Sequence, residues 1–171
     1  MLRTVLLATA LAATFTSSAS AAITQFHANL TGAQEVPPTQ SNGTGEVLAT
    51  VDTTKKELHY TVTWQGLSWP ATAAHFHGPA DPGTNAGVVI PIDGKDPTSP
   101  VTGNAQLTDA QMKDLAAGKM YVNVHTAANP GGEIRGQVVP DRGGSATDKR
   151  AATHRATKAS ASSSDHGEMK H

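Results

Sequence analysis

The chain has 171 residues, carries a formal net charge of −1 and contains no cysteine. The lack of cysteine excludes disulfide bonds and thiolate ligands, so a metal site in this chain must use histidine, carboxylate, methionine or backbone oxygen. The central stretch, residues 22–140, has about 120 residues and is long enough to form one hydrophobic core without covalent cross-links.

The first 21 residues have the pattern of a secretory signal peptide. Arg3 supplies a positive charge, the apolar run TVLLATALAATF follows, and Ala19-Ser20-Ala21 forms a cleavage signature. The apolar run is shorter than the roughly 20 residues that a membrane span requires. We therefore expect the mature chain to begin at Ala22, to have no membrane span and to be exported to the periplasm or the extracellular space. A buried N-terminal helix is the alternative.

Short alternating segments, separated by turns rich in Gly, Pro, Asn and Asp, occupy the middle of the chain. One helix is predicted in TDAQMKDLAAGK, because Thr108 and Gln111 have capping-box spacing and Gly118 fits the helix end. The predominance of strands over helices predicts an all-β fold, an antiparallel Greek-key β-sandwich with one short helix. The predicted strands are ITQFHANL (23–30), GEVLATVD (45–52), KELHYTVTW (56–64), AGVVIPI (86–92), MYVNVHT (120–126) and GEIRGQVV (132–139).

The C-terminal segment 141–171 differs in composition from the rest of the chain. It contains no Val, Ile, Leu, Phe, Trp or Tyr, so we predict that it is disordered. Its six basic residues stand against four acidic ones, a balance too weak to indicate a nucleic-acid partner. Some of its side chains are possible weak metal ligands, although a solvated tail is the simpler interpretation: His154, His166, Met169 and His171.

The stretch AAHFHGPADPG places His75 and His77 on either side of Phe76. In an extended strand, alternate residues share a face, so both imidazoles would point one way and Phe76 would point into the core. Two adjacent imidazoles are half of a typical site for a transition metal. The alternative is that these histidines bond to backbone groups around the Gly-Pro turns and bind nothing.

The two segments on either side of ANPGG are predicted to pair as a hairpin. A turn centred near Asn129 would place His125 opposite Glu133 and Asn123 opposite Arg135, although a slip of one residue would undo this register.

With His75 and His77, His125 would complete a set of three imidazoles that suits copper or zinc. Glu133 is either a fourth ligand or the residue that fixes the tautomer of His125. Asn123 would lie beside the site, and Arg135 would place a positive charge there that suits an anion.

Three motifs in this chain resemble the CHRD domain, which is named after chordin and is also found in bacterial exported proteins. They are LTGAQEVPP, AHFHGPADPGTNAGVVIPI and YVNVHTAANPGGEIRGQV, and the resemblance predicts a domain over residues 22–140. It implies a β-sandwich, immunoglobulin-like or superoxide-dismutase-like, in an extracytoplasmic setting. It implies little about activity. Chordin also has cysteine-rich modules that bind growth factors, and this chain has none, so growth-factor antagonism is not expected.

The His-x-His pair is also similar to the copper ligands of copper/zinc superoxide dismutases. A shared fold does not establish a shared function, and three hypotheses remain open. The first is non-catalytic binding or buffering of a transition metal, copper in preference to zinc, by an exported protein. The second is a structural or adhesive module that binds an unknown protein and no metal. The third is a copper-dependent redox enzyme of the dismutase type. Exposed edge strands leave both a monomer and a dimer open.

Overall fold

The computed structural model describes residues 23–92 and 94–141. The predicted signal peptide and the predicted C-terminal tail from residue 142 onward lie outside the described residues. Within the described ranges, no helix is long and apolar enough to cross a membrane.

The described part of the chain contains eight strands, one α-helix and a short 3₁₀-helix at Gly32–Gln34. All six predicted strands and the predicted helix are present, and the HFH stretch is extended, as expected. The elements are β1 Ile23–Thr31, β2 Thr44–Asp52, β3 Glu57–Gln65, β4 Ala71–His77, β5 Val88–Pro91, β6 Val101–Gln106, α1 Asp109–Ala116, β7 Met120–Thr126 and β8 Ile134–Pro140. The capping box of α1 is formed, with Thr108 and Gln111 each bonding the backbone of the other.

The strands form one antiparallel sheet with the order β5-β4-β7-β8-β1-β2-β3-β6. The chain pairs β1, β2 and β3 in succession and then crosses to form β4 and β5 at the opposite edge. It returns to place β6 beside β3 and crosses again to place β7 beside β4. Such crossovers are Greek-key connections.

The sheet curls until its two halves face each other. Tyr60 on β3 and Phe76 on β4 lie five strand positions apart, which would separate them by about 24 Å in a flat sheet. Their ring centroids are 5.2 Å apart. The all-β antiparallel fold with one short helix is thus confirmed, and its two layers are halves of one nearly closed sheet.

The core lies between these halves and is filled by alternate residues of each strand. Val47, Ala49 and Val51 on β2 face Leu58, Tyr60 and Val62 on β3 through the ladder, and all six are buried. Phe76 is fully buried in the same core. The residues on either side of Phe76 therefore point to the outer face of β4.

The outer face of β4, β7 and β8 carries the predicted site residues. Asn123 pairs with Arg135 across β7 and β8, which confirms the predicted register. Asn123 also pairs with His75 across β4 and β7, and His125 pairs with Ala73. Residues from three neighbouring strands are thereby placed on one surface.

Candidate metal centre

Three histidines from β4 and β7 converge on this outer face. His75, His77 and His125, referred to below as the histidine group, each offer one ring nitrogen, and these three atoms lie within 4.8 Å of one another. The closest pair is Nδ1 of His75 and Nε2 of His125, at 3.1 Å. His77 is buried, whereas His75 and His125 are half-buried. One side of the histidine group is therefore open to solvent.

Backbone carbonyl groups fix the tautomers of two of these rings. Nδ1 of His77 lies 3.0 Å from the carbonyl oxygen of Ala86, and Nδ1 of His125 lies 2.9 Å from that of Pro130. A carbonyl oxygen only accepts, so each Nδ1 carries the proton and donates. Nε2 of each ring consequently carries the lone pair when the imidazole is neutral, and in His125 this lone pair accepts a hydrogen bond from Nδ1 of His75. Nε2 of His77 is buried and has no hydrogen-bond partner. These are the orientations that metal-binding histidines require.

The surroundings of the histidine group favour neutral imidazoles. Burial lowers the pKa of His75, and the neighbouring His125 and His77 lower it further. Burial also lowers the pKa of His77 and of His125, although the bonds to Ala86 and Pro130 act in the opposite direction. All three pKa values lie below the usual 6.5. The lone pairs are therefore available to a metal ion at neutral pH.

A loop covers His77 and is held in place by Arg135. This covering loop, residues 78–87, supplies the carbonyl group of Ala86. Arg135 donates from Nη1 to Oδ1 of Asn85 at 3.0 Å and from Nη2 to the carbonyl oxygen of Thr84 at 2.8 Å. Its side chain is only 1% exposed. The guanidinium group, predicted to contact an anion, is thus directed at the covering loop and is shielded from solvent.

The guanidinium group of Arg135 stacks on the ring of Tyr121, which in turn stacks on the ring of His77. Cζ of Arg135 lies 3.4 Å from the ring centroid of Tyr121, a cation–π contact. The Tyr121 ring is in turn stacked on His77, with centroids 4.8 Å apart and planes 3° from parallel. The hydroxyl group of Tyr121 bonds Ala86, which links the stack to the covering loop. The ring of His77 is therefore fixed by stacking as well as by hydrogen bonding.

Glu133 does not lie in the histidine group. Strand β8 begins only at Ile134, and its pairing with β7 ends at Val124 and Ile134, so the predicted pair of His125 with Glu133 is not part of the ladder. Pro130, and not Glu133, fixes the tautomer of His125. The carboxylate is fully buried and accepts hydrogen bonds from residues of three loops and from the last residue of β7: Ser41, Ser68, Asn129 and Thr126.

Asn123 and Glu35 form a buried polar pair behind the histidine group. Asn123, predicted to lie beside the site, is 3% exposed, and its Nδ2 donates weakly to the carbonyl oxygen of Gly131 at 3.4 Å. Glu35 is a residue that the sequence did not single out. Burial raises the pKa of Glu35 to about 7, although Arg135 and Asn123 partly counter this effect. The signal available in the sequence was a lone carboxylate within the motif LTGAQEVPP.

Comparison with known families agrees with the motifs described above. The family model of the CHRD domain matches residues 26–138. The chain belongs to the CHRD domain family. No match was found among curated proteins or among solved structures. The matched span includes the whole histidine group together with Arg135 and Glu35, so the candidate metal centre lies within the CHRD domain itself.

Proposed function

We propose that this CHRD protein binds one transition-metal ion, copper in preference to zinc, through His75, His77 and His125. One observation carries the proposal: three imidazole nitrogens lie within 4.8 Å of one another, and backbone carbonyl groups turn two of them toward the cluster. Imidazole is a good ligand for both metals, and binding strength in such sites generally increases from the earlier divalent ions to copper. The metal would occupy a position with solvent access on one side.

We propose binding or buffering without turnover as the role of this site. A dismutase-like enzyme needs a positive group that an anion can reach from solvent. The candidate for that task, Arg135, is buried and has its Nη1 and Nη2 donors engaged with Asn85 and Thr84. This arrangement supports a role for Arg135 within the fold rather than in attracting a substrate.

We also propose that the protein is exported and works in the periplasm or outside the cell. The support is the signal-peptide pattern of residues 1–21 and the extracytoplasmic setting that CHRD membership implies. A site of three imidazoles does not depend on reduced thiols, so it is compatible with an oxidising compartment.

The test is a titration of the protein with Cu(II) and Zn(II), followed by calorimetry and, for copper, by electron paramagnetic resonance. We expect one equivalent to bind tightly, with nitrogen hyperfine structure that disappears in the His75→Ala/His77→Ala variant. The matched control is His27→Ala/His59→Ala, which removes two histidines from β1 and β3, outside the histidine group. If both double variants retain or lose binding equally, the histidine group is not the site, and the adhesive-module hypothesis becomes the better one.

A further inference from the structure

We infer that the histidine group prefers monovalent copper, Cu(I), to divalent ions such as Zn(II), and that Arg135 strengthens this preference. The inference rests on the metal binding proposed above and specifies which charge the bound ion carries. Three features of the structure support it: the neutral ligand set, the fixed cation behind it and the burial of the contact between them.

The ligand set contributes no negative charge. Among the described residues, the group that could hold a metal consists of three histidines and includes no carboxylate. The carboxylate of Glu133 is occupied by hydrogen bonds from Ser41, Ser68 and Thr126. A divalent ion bound by three neutral imidazoles therefore retains its full charge of +2, whereas Cu(I) leaves +1. The cost of placing charge in a partly buried site rises steeply with the size of that charge.

A permanent positive charge lies directly behind His77. The contact distances place the guanidinium group of Arg135 at most about 8 Å from the His77 ring centroid, with the ring of Tyr121 between them. The hydrogen bonds to Thr84 and Asn85 prevent the guanidinium from turning away. Arginine does not lose its proton in proteins, so this charge persists at any working pH.

Repulsion by Arg135 acts in proportion to the charge of the ion. At an effective dielectric constant near 20, two unit charges about 10 Å apart repel enough to weaken binding by roughly tenfold. The repulsion energy of a divalent ion is twice that of a monovalent ion. Arg135 therefore shifts the ratio of Cu(I) to Zn(II) affinity by about tenfold toward Cu(I). Water screens the contact poorly, because Arg135, Tyr121 and His77 are all buried.

The carboxyl group of Glu35 neutralises Arg135 only in part. Glu35 interacts electrostatically with Arg135, but its burial raises the pKa of this carboxyl group to about 7. At neutral pH a large fraction of Glu35 is therefore protonated and uncharged. The positive charge of Arg135 remains without a full counter-charge beside the histidine group.

The experiment compares Cu(I) and Zn(II) affinities of the full chain by anaerobic competition with chromophoric chelators. The His75→Ala/His77→Ala variant measures binding elsewhere in the chain, which is subtracted. We expect the unmodified protein to bind Cu(I) more tightly than Zn(II). In Arg135→Gln the affinity ratio should move about tenfold toward Zn(II), because the charge is removed. In Arg135→Lys the ratio should stay within about twofold, because the charge is retained even though the forked hydrogen bonds are lost.

The ratio of Cu(I) to Zn(II) affinity separates the effect of the Arg135 charge from the effect of a change in structure. A loosened covering loop would weaken both metals together and leave the ratio unchanged. Lys119→Gln is the matched control, because Lys119 pairs with Asp81 of the same covering loop but does not contact the histidine group. Tighter binding of Zn(II) than of Cu(I) by the unmodified protein would overturn the inference without any variant. An unchanged ratio in Arg135→Gln would overturn the role of Arg135. If the unmodified protein binds neither metal more tightly than His75→Ala/His77→Ala does, the proposed function itself is refuted.

Discussion

Glu133 holds two loops, those of Ser41 and Ser68, to the end of β7 through one buried carboxylate. Its two oxygens accept hydrogen bonds of 2.6–2.7 Å from Ser41, Ser68 and Thr126. In Glu133→Gln, an amide group that cannot accept replaces one of these oxygens. We expect the free energy of unfolding to fall by about 2–4 kcal/mol, measured by urea denaturation. Glu46→Gln, at an exposed position on β2, is the control and should change stability by less than about 0.5 kcal/mol.

The contribution of Glu133 depends on pH in a defined direction. Burial raises the pKa of Glu133, but the bonds from Ser41, Thr126 and Ser68 outweigh it and hold the pKa at about 2, below the ordinary value of 4.5. A lowered folded-state pKa stabilises the fold above pH 4.5, and that contribution is lost as the pH falls toward 2. The stability difference between the unmodified protein and Glu133→Gln should therefore shrink over this range. A difference that stays constant would mean that the charge of Glu133 does not hold the loops.

Glu35 has the opposite dependence on pH. Burial raises its pKa from 4.5 to about 7, so the folded state binds a proton more tightly than the unfolded state does. The stabilisation is complete below pH 4.5 and is lost as the pH rises through 7. Relative to the unmodified protein, Glu35→Gln should be more stable by about 3 kcal/mol near pH 8 and should lose this advantage near pH 4. Denaturation curves at the two pH values decide this, and equal differences at both would refute the assignment.

At the scale of single elements, Gly103 determines how β6 packs on β3. Gly103 is paired with Tyr60, and a Cβ at this position would collide with the Tyr60 ring. Gly103→Ala must therefore displace a buried aromatic ring, and we expect a loss of about 1–3 kcal/mol in unfolding free energy. Gly131→Ala is the control, because a Cβ there meets nothing within 4 Å. Similar losses in both variants would show that glycine flexibility, and not space, explains the effect.

The same glycine shows why one strand could not be predicted. Most strands are marked by apolar residues at alternate positions, and the capping box marks α1 equally clearly. In β6 the inward positions after Val101 are Gly103 and Ala105, which are both small, and at Gly103 the Tyr60 ring occupies the space of a side chain. When the neighbouring strand fills the space with its own side chains, the inward residues of a strand are small, and its sequence lacks the alternation of large apolar and polar residues. The existence of such a strand is fixed by tertiary packing, which a local pattern does not contain.

At the scale of the whole molecule, the alternation of residues along regular strands predicted which side chains share a face. It did not predict the surroundings of residues that are covered by loops. The faces on which His75, His77 and His125 lie follow from alternation, whereas the pairing of β4 with β7 that brings them together is set by the sheet topology. The surroundings of Arg135 do not, because the covering loop that buries it is distant in sequence. The paths of long loops are set by contacts that no local pattern encodes. Sequence therefore identified the three histidines of the candidate centre, whereas the structure was needed to show what Arg135 contacts.

Metal binding and global stability should be linked through the histidine group. The pKa values of His75, His77 and His125 lie below 6.5, so the unfolded chain binds more protons and the metal-free fold loses stability as the pH drops below 6.5. A metal that binds the folded state alone adds about 2.7 kcal/mol at a hundredfold excess over its dissociation constant. Because the folded-state pKa values are lowered, this gain should be constant around neutral pH and decline only below 6.5.

Melting temperatures with and without Cu(II), measured across this pH range, test the linkage. The difference between the two curves cancels the contribution of Glu35, which is present in both. The gain should be absent in His75→Ala/His77→Ala and preserved in His27→Ala/His59→Ala, since only the first pair lies in the histidine group. A gain that already declines above pH 6.5 would contradict the lowered histidine pKa values. An equal gain in both double variants would place the stabilising metal elsewhere on the chain.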